Sequence, residues 1–118
     1  MKNLDLIVEK NQSIKIAMEK ILINDLRIVF VVKKKKIIGS LSEGDILRSV
    51  FYKKNLENPV HLIMNKSYKF ILKSNLNEKN INFLFTNNDI LALPVVNKKL
   101  ELEKIITLRS FLLKKNVL

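Results

Sequence analysis

Cysteine and tryptophan are absent from this chain of 118 residues, and His61 is its only histidine. Without a thiol there can be no disulfide, no thiolate metal site and no cysteine nucleophile. No residue pattern around His61 supports a zinc site or a serine triad. A conventional hydrolase or a zinc enzyme is therefore not expected. Glu43 and Asp45 are a possible carboxylate pair, but side chains two residues apart at a helix start diverge. We predict that the chain holds no metal, requires no cofactor, has no catalytic residues and is not an enzyme.

Long apolar stretches are also missing. The longest one, Ile90 to Val96, has seven residues, whereas a membrane-spanning helix needs about 20. Asp5 and Glu9 interrupt the N-terminal segment, which has no apolar stretch typical of a secretory signal. The sequence therefore predicts a cytoplasmic protein without contact to a membrane.

Basic residues outnumber acidic ones by 22 to 11, which gives a net charge of +11. Such a charge favours anionic partners: nucleotides, nucleic acids or anionic lipids. However, only three of the basic residues are arginine, the residue on which base recognition and phosphate clamps mainly depend. A general lysine bias of the composition also accounts for the charge, so nucleic acid is the less favoured partner.

Apolar periodicity predicts one succession of elements twice. The first copy has a helix over residues 13–23, strands over 28–32 and 37–41, and a helix from Ser42. The second copy has a strand over 68–73, a helix over 78–86, strands over 93–96 and 104–107, and a helix over 108–115. The strand that holds Val31 recurs around Val95, at an offset of 64 residues.

The repetition predicts an α+β fold of two β-α-β-β-α repeats, related by a pseudo-twofold axis, with small sheets packed against helices. We assign residues 1–58 to the first repeat and 59–118 to the second. A unit of this size buries only about 60% of its unfolded surface and is marginally stable alone. We therefore expect the repeats to form one compact module.

The only two glycines, Gly39 and Gly44, fall in one short segment, GSLSEGD, where a strand leads into a helix. This placement indicates a tight turn or a close approach by another group. The first turn of a helix favours an anion, and Asp45 could accept hydrogen bonds from a ribose diol. The alternative is a capping box, in which Ser42 and Asp45 satisfy each other's backbone N–H groups without any ligand.

The segment GSLSEGDILRSV, preceded by IVFVVKKKKII and echoed by LALPVVNKKLELEKIIT, resembles a tandem pair of CBS domains. The resemblance extends from about Leu6 to Leu113. It implies a regulatory module that binds an adenine nucleotide (AMP, ADP or ATP) or a related adenosyl ligand in the cleft between the repeats. It also implies a homodimer formed by packing of CBS domains.

The same resemblance implies the ligand-binding residues. Asp45 would hold the ribose hydroxyls, with Ser42 near the ribose or phosphate, and Arg48 would face phosphate or pair with Asp45. The ligand would also be flanked by Arg27 and Ile28, with Leu91 in the base pocket and Leu41 beneath it.

The second copy departs from the family pattern. Aligning Thr107 with Ser42 puts Lys104 at the position of Gly39 and Ser110 at the position of Asp45. Because a serine is a poor substitute for a carboxylate that holds two hydroxyls, we expect at most one ribose site, built around Asp45.

SEGDILRSV is also similar to CBS pairs that precede sugar-nucleotidyltransferase domains, which implies fusion to such a domain after the basic and apolar residues 115–118. Two other functions stay open. One is a structural module that only dimerises. The other is a nucleic-acid-binding module acting through the basic turns at Lys33–Lys36 and Lys98–Lys99.

Overall fold

The computed structural model describes residues 3–114, with side chains from residue 5 onward. Between Tyr68 and Lys69 the chain divides into two compact units. The predicted repeat boundary after residue 58 concerns sequence repetition and stays a prediction. In the structure, residues 59–68 belong to the first unit.

The first unit is a three-stranded sheet with two helices. Its strand order is β1-β2-β3, with β1 parallel and β3 antiparallel to the central strand. The elements in chain order are β1 (Ile7–Glu9), α1 (Ile14–Asn24), β2 (Ile28–Lys33), β3 (Lys36–Ser42) and α2 (Glu43–Phe51).

Helix α1 is amphipathic, as the spacing of its apolar residues predicts. Ile14, Ala17 and Ile21 are buried in a core that includes Val29 and Val31 of β2. Ser13 caps the first turn by accepting a hydrogen bond from the Ile16 N–H at 3.2 Å. This cap and the buried apolar stripe together set where the helix begins and which face it packs on the sheet.

The second unit repeats this topology, with strand order β4-β5-β6. Its elements are β4 (Ile71–Leu72), α3 (Glu78–Asn87), β5 (Ala92–Val96), β6 (Leu102–Thr107) and α4 (Leu108–Leu112). Even the irregularities correspond, since the register shifts between Val31 and Val32 in β2 and between Val95 and Val96 in β5. The predicted α+β fold of two β-α-β-β-α repeats is therefore confirmed.

The strand predicted over residues 68–73 is wrong in extent, because β4 contains only Ile71 and Leu72. Its pairing with β5 begins at Val95, the residue after Pro94, and a proline has no N–H to donate to a strand ladder. The helix predicted over residues 108–115 is also too long, because α4 ends at Leu112 with Leu113 as its C-cap; Lys115 lies outside the described residues.

Tyr68 is held by the first unit and not by the strand predicted for it. Its hydroxyl donates a hydrogen bond to the Ile37 carbonyl oxygen at 3.2 Å. Burial raises the pKa of this hydroxyl above its ordinary value of 10.0. The group therefore stays protonated, and able to donate, at neutral pH.

Gly39 is required by a close approach within the chain and not by a tight turn, since no glycine has a positive φ. The segment after α2 returns along β3, where Ser40 and Asn65 exchange backbone hydrogen bonds of 2.9 and 2.7 Å. A Cβ atom on Gly39 would lie 2.7 Å from Met64 Sδ and 3.1 Å from the Asn65 carbonyl oxygen. The returning segment covers the outer edge of β3 only because residue 39 has no side chain.

Gly39→Ala should lower the free energy of unfolding by about 1–3 kcal/mol, because it overpacks this contact. Gly44→Ala is the matched control, since the nearest atom to its new Cβ is Arg48 Nη1 at 3.4 Å, and alanine is the better helix former. Urea unfolding of both variants measures the difference. Equal stabilities for the two variants would contradict the packing role of Gly39.

Candidate functional site

The capping box predicted at the start of α2 is present. Ser42 Oγ accepts a hydrogen bond from the Asp45 N–H at 3.1 Å, and Asp45 Oδ2 accepts one from the Ser42 N–H at 2.9 Å. Both bonds satisfy donors that the first turn of a helix would otherwise leave unpaired. The alternative that needs no ligand is therefore real, and it fixes the orientation of the Asp45 side chain.

The second oxygen of Asp45 is engaged by Arg48. Arg48 Nη2 donates a hydrogen bond to Asp45 Oδ1 at 2.5 Å. The Arg48 side chain is 67% exposed and the Asp45 side chain 19%, so water reaches this ion pair. Ion pairs between exposed side chains contribute little to stability, about 0–1 kcal/mol. The two predicted roles of Arg48 thus differ in strength of support: the pairing with Asp45 is seen, and the contact to phosphate stays a prediction.

The beginning of β2 lies beside the beginning of α2. The Glu43 N–H donates to the Arg27 carbonyl oxygen at 2.9 Å, and Ile28 pairs in register with Ser42. Arg27 has a φ of 64°, a left-handed conformation that costs a residue with a Cβ atom about 1–2 kcal/mol. Six other non-glycine residues in the described part of the chain also have a positive φ, so this conformation marks the turn before β2 and does not by itself identify a site.

The structure brings five of the seven predicted residues together on the surface of the first unit, namely Arg27, Ile28, Ser42, Asp45 and Arg48. Leu41 is fully buried and belongs to the core beneath them. Leu91 lies in the second unit, where its carbonyl oxygen accepts a hydrogen bond from the Leu108 N–H at 2.9 Å, as that of Arg27 does from Glu43. Leu91 thus occupies the position equivalent to Arg27, and its contact with a base stays a prediction.

A cavity of about 300 Å³ opens beside Asp45 and Arg48 in the first unit. Its other lining residues are Ser49, Tyr52, Lys54 and Ile63. Two cationic groups and a phenol hydroxyl around one carboxylate suit a ligand that carries both hydroxyl groups and an anionic group. The site therefore extends along α2 toward its C-terminal end.

Sequence reasoning missed these four additional residues. Ser49 and Tyr52 follow Asp45 by four and seven residues, so helical spacing alone places them on its face. Lys54 and Ile63 carry no such signal. Lys53 has a φ of 63°, and this turn lets the Lys54 N–H donate to the Ser49 carbonyl oxygen at 2.8 Å.

The second repeat has a cap of the same geometry but different chemistry. Thr107 Oγ1 accepts a hydrogen bond from the Ser110 N–H at 3.0 Å and donates one to Ser110 Oγ at 2.8 Å. Lys104 pairs with Val95 as Gly39 pairs with Val31. The alignment of the two repeats is therefore confirmed, and no carboxylate stands at the position equivalent to Asp45.

A further cavity of about 350 Å³ lies in the second unit between β4 and α3. Its lining residues are Phe70, Ile71, Leu72, Asn75, Asn80, Phe83 and Leu84. None of them carries a charge, so this cavity suits the phosphate of a nucleotide less well than the cavity beside Asp45.

Among residues 3–114, no cluster of acidic, histidine or cysteine side chains could hold a metal ion. None of the helices in this range has the length and hydropathy of a membrane span.

Residues 3–52 match the family model of the CBS domain. This stretch contains the first β-α-β-β-α repeat and six of the seven predicted site residues. No curated protein matches the chain.

Solved structures match over both repeats. A CBS domain pair/ACT domain protein from Thermotoga maritima is 18% identical, with a TM-score of 0.78 over 92% of this chain and 85% of that one. A CBS domain protein from Pyrobaculum aerophilum complexed with AMP is 21% identical, with a TM-score of 0.69 over 92% and 88%. CBSX2 in complex with AMP is 21% identical, with a TM-score of 0.76 over 92% and 84%.

The chain therefore has the fold of a CBS domain pair, and its first repeat matches the CBS domain itself.

Ser42→Ala should lower the free energy of unfolding by about 1 kcal/mol, because the Asp45 N–H loses its acceptor. Thr107→Ala removes the equivalent acceptor of the second repeat and should have an effect of similar size. Chemical denaturation of both variants provides the measurement. If Ser42→Ala is as stable as the parent protein, the capping box does not stabilise α2.

Proposed function

We propose that this protein is a regulatory module that binds an adenine nucleotide beside Asp45. The observation that carries the proposal is that the Asp45 carboxylate lines a cavity together with the cationic side chains of Arg48 and Lys54, in a repeat that matches the CBS domain. Two structures of the same fold were solved with AMP, which supports the ligand class.

Asp45 can accept hydrogen bonds from the two hydroxyls of a ribose while it keeps its capping-box hydrogen bond to Ser42. Each carboxylate oxygen has two lone-pair sites, and only Oδ2 is committed to the Ser42 N–H of the capping box. The exposed bond from Arg48 to Oδ1 is weakly held, so ribose hydroxyls can replace it at small cost. The capping box then orients the carboxylate toward the ligand.

Displacement of Arg48 from Asp45 would free its guanidinium group for the phosphate. Lys54 lines the same cavity and would supply a second positive charge, while Tyr52 offers a hydroxyl donor. Phosphate recognition by a guanidinium group is a charge-assisted interaction, and about twice as strong as a neutral hydrogen bond. In this proposal Arg48 pairs with Asp45 or with the nucleotide, according to occupancy.

Regulation would follow from unequal affinity of the nucleotide for two conformations of the module, with a coupling free energy of about 1–3 kcal/mol. The regulated part would be an attached or partner enzyme domain in the cytoplasm. The similarity of SEGDILRSV to the CBS pairs of sugar-nucleotidyltransferases favours a fused domain of that class.

Isothermal titration with AMP, ADP and ATP should reveal one site for at least one of these nucleotides. Asp45→Asn keeps the size of the side chain but removes its charge, and should weaken binding at least tenfold, or about 1.4 kcal/mol. Glu43→Gln removes a carboxylate from the same helical turn, outside the cavity, and should leave affinity within twofold. Two equivalent sites, or equal affinity of the parent protein and the Asp45→Asn variant, would refute the assigned site.

We also propose a homodimer that packs through α1 and α2. Large apolar side chains are exposed on both helices, with Phe51 at 78% and Leu47 at 64%; the others are Leu22, Ile23 and Val50. Exposed apolar residues gathered on neighbouring helices are typical of an interface. A module that only dimerises, and binds no nucleotide, remains the second candidate function.

Leu47→Glu should convert the dimer to a monomer, because a charge buried in an apolar interface is strongly unfavourable. Leu62→Glu is the control, since Leu62 is similarly exposed at 61% but lies outside both helices. Sedimentation equilibrium gives the masses. A parent protein that is monomeric at high micromolar concentration would exclude the dimer, and titration of the same samples shows whether nucleotide binding survives independently.

A further inference from the structure

The turn between β2 and β3 consists of lysine alone. Lys33 to Lys36 are four consecutive exposed lysines, of which Lys33 and Lys36 form the last pair of the ladder and Lys34 and Lys35 form the turn. The φ angles of Lys34 and Lys35 are 49° and 71°. Two-residue hairpin turns with both φ angles positive strongly favour Asn-Gly, because side chains are unfavourable there.

The charges at this turn are uncompensated. Among the ion pairs within residues 3–114, none involves any of the four lysines. Lys33 and Lys36 stand directly opposite each other, an arrangement in which like charges destabilise a hairpin. Glu9 pairs with Val32 in the backbone register, but it too forms no ion pair with them.

The equivalent turn of the second repeat shows that the fold does not require this arrangement. Asn97 Oδ1 accepts hydrogen bonds from the Lys99 and Glu101 N–H groups at 2.9 and 3.0 Å. Glu101 follows Lys99 by two residues, and its Oε1 accepts a hydrogen bond from Asn97 Nδ2 at 2.9 Å. The first turn has neither the asparagine nor the carboxylate, so its sequence is unfavourable for stability in two separate ways.

We propose that the Lys33–Lys36 turn is a docking surface for nucleic acid, recognised through its phosphate backbone and without base specificity. Lysine ammonium groups bind phosphates as point charges, and a phosphate strand would relieve the repulsion between Lys33 and Lys36. The surface is independent of the nucleotide site, which lies at the other end of β3, where Ser42 leads into α2.

The surroundings of the turn favour nucleic acid over a membrane. Val32 and Ile37, which flank the lysines, are buried at 5% and 1% exposure, so the turn offers no apolar side chain for insertion. Segments that bind the membrane surface usually combine lysine with exposed apolar residues. On the helices of the first unit, exposed large apolar side chains occur near the C-terminal end of α1 and on α2, and α2 follows the end of β3 opposite to the turn.

The test is fluorescence anisotropy of a labelled 20-base-pair DNA duplex at several salt concentrations. If all four lysines contact phosphate, the slope of log K against log salt should include a contribution of about −3.6, at −0.9 per neutralised phosphate. The variant with Lys33, Lys34, Lys35 and Lys36 all changed to Gln should lose that contribution and bind at least tenfold more weakly at low salt.

Three further variants separate the turn from general charge and from the nucleotide site. The variant Lys15→Gln, Lys69→Gln, Lys79→Gln and Lys99→Gln removes the same charge from exposed positions elsewhere and should retain most of the affinity. The double variant Lys34→Asn, Lys35→Gly should unfold at higher urea concentration than the parent protein and yet bind DNA less tightly. Asp45→Asn should leave DNA affinity unchanged, so this proposal can fail or succeed apart from the nucleotide site.

Three results would overturn the proposal. The first is an equal loss of affinity in the two fourfold variants, which would assign binding to net charge. The second is DNA affinity that does not change when the four turn lysines are replaced. The third is lysine-dependent binding to phosphatidylserine vesicles without binding to DNA, which would make the partner a membrane surface.

Discussion

The junction between β3 and α2 is the constraint on which the first repeat depends. The chain passes there from a buried strand into a helix, and the unpaired N–H groups of the first helical turn must find acceptors. Ser42 and Asp45 supply two of them reciprocally, while the Arg27 carbonyl supplies another to Glu43. One set of hydrogen bonds therefore starts the helix, joins it to β2 and orients the carboxylate proposed to bind ribose. The structural role and the proposed binding role use different oxygens of one carboxylate, Oδ2 for the cap and Oδ1 for the ligand, so the presence of a capping box does not argue against a ligand.

Comparison of the repeats shows what the fold requires and what it leaves free to vary. Topology, the positions of the register shifts and the hydroxyl cap of the last helix occur in both. The carboxylate of Asp45 becomes a hydroxyl in Ser110, and the close approach at Gly39 is replaced by Lys104. Helix capping needs only a side-chain oxygen, whereas holding a diol needs a carboxylate. The second repeat has thus kept the requirement of the fold and lost that of the proposed site.

The remaining unusual features of the first unit lie on separate surfaces. Apolar side chains such as Phe51 and Leu47 are exposed on the helices, while uncompensated lysines lie at the β2–β3 turn. Neither feature contributes to the stability of the unit by itself, because apolar exposure and opposed like charges are both unfavourable in water. Both become favourable only when a partner covers them, which is why we assign a second copy of the chain to one and a phosphate backbone to the other.

The amino-acid sequence by itself determined the α-β-β-α order common to both repeats, the buried strands and the capping pair at Ser42 and Asp45, because all of these follow from periodicity and short-range hydrogen bonding. It did not locate β1, whose three residues are too few for a periodic pattern. Tertiary structure decided the rest. It shortened β4 next to Pro94, it explained Gly39 by the approach of Met64 and Asn65, and it brought Lys54 and Ile63 to the cavity beside Asp45. These features depend on segments that are distant in sequence and meet only after folding, so local sequence patterns cannot predict them.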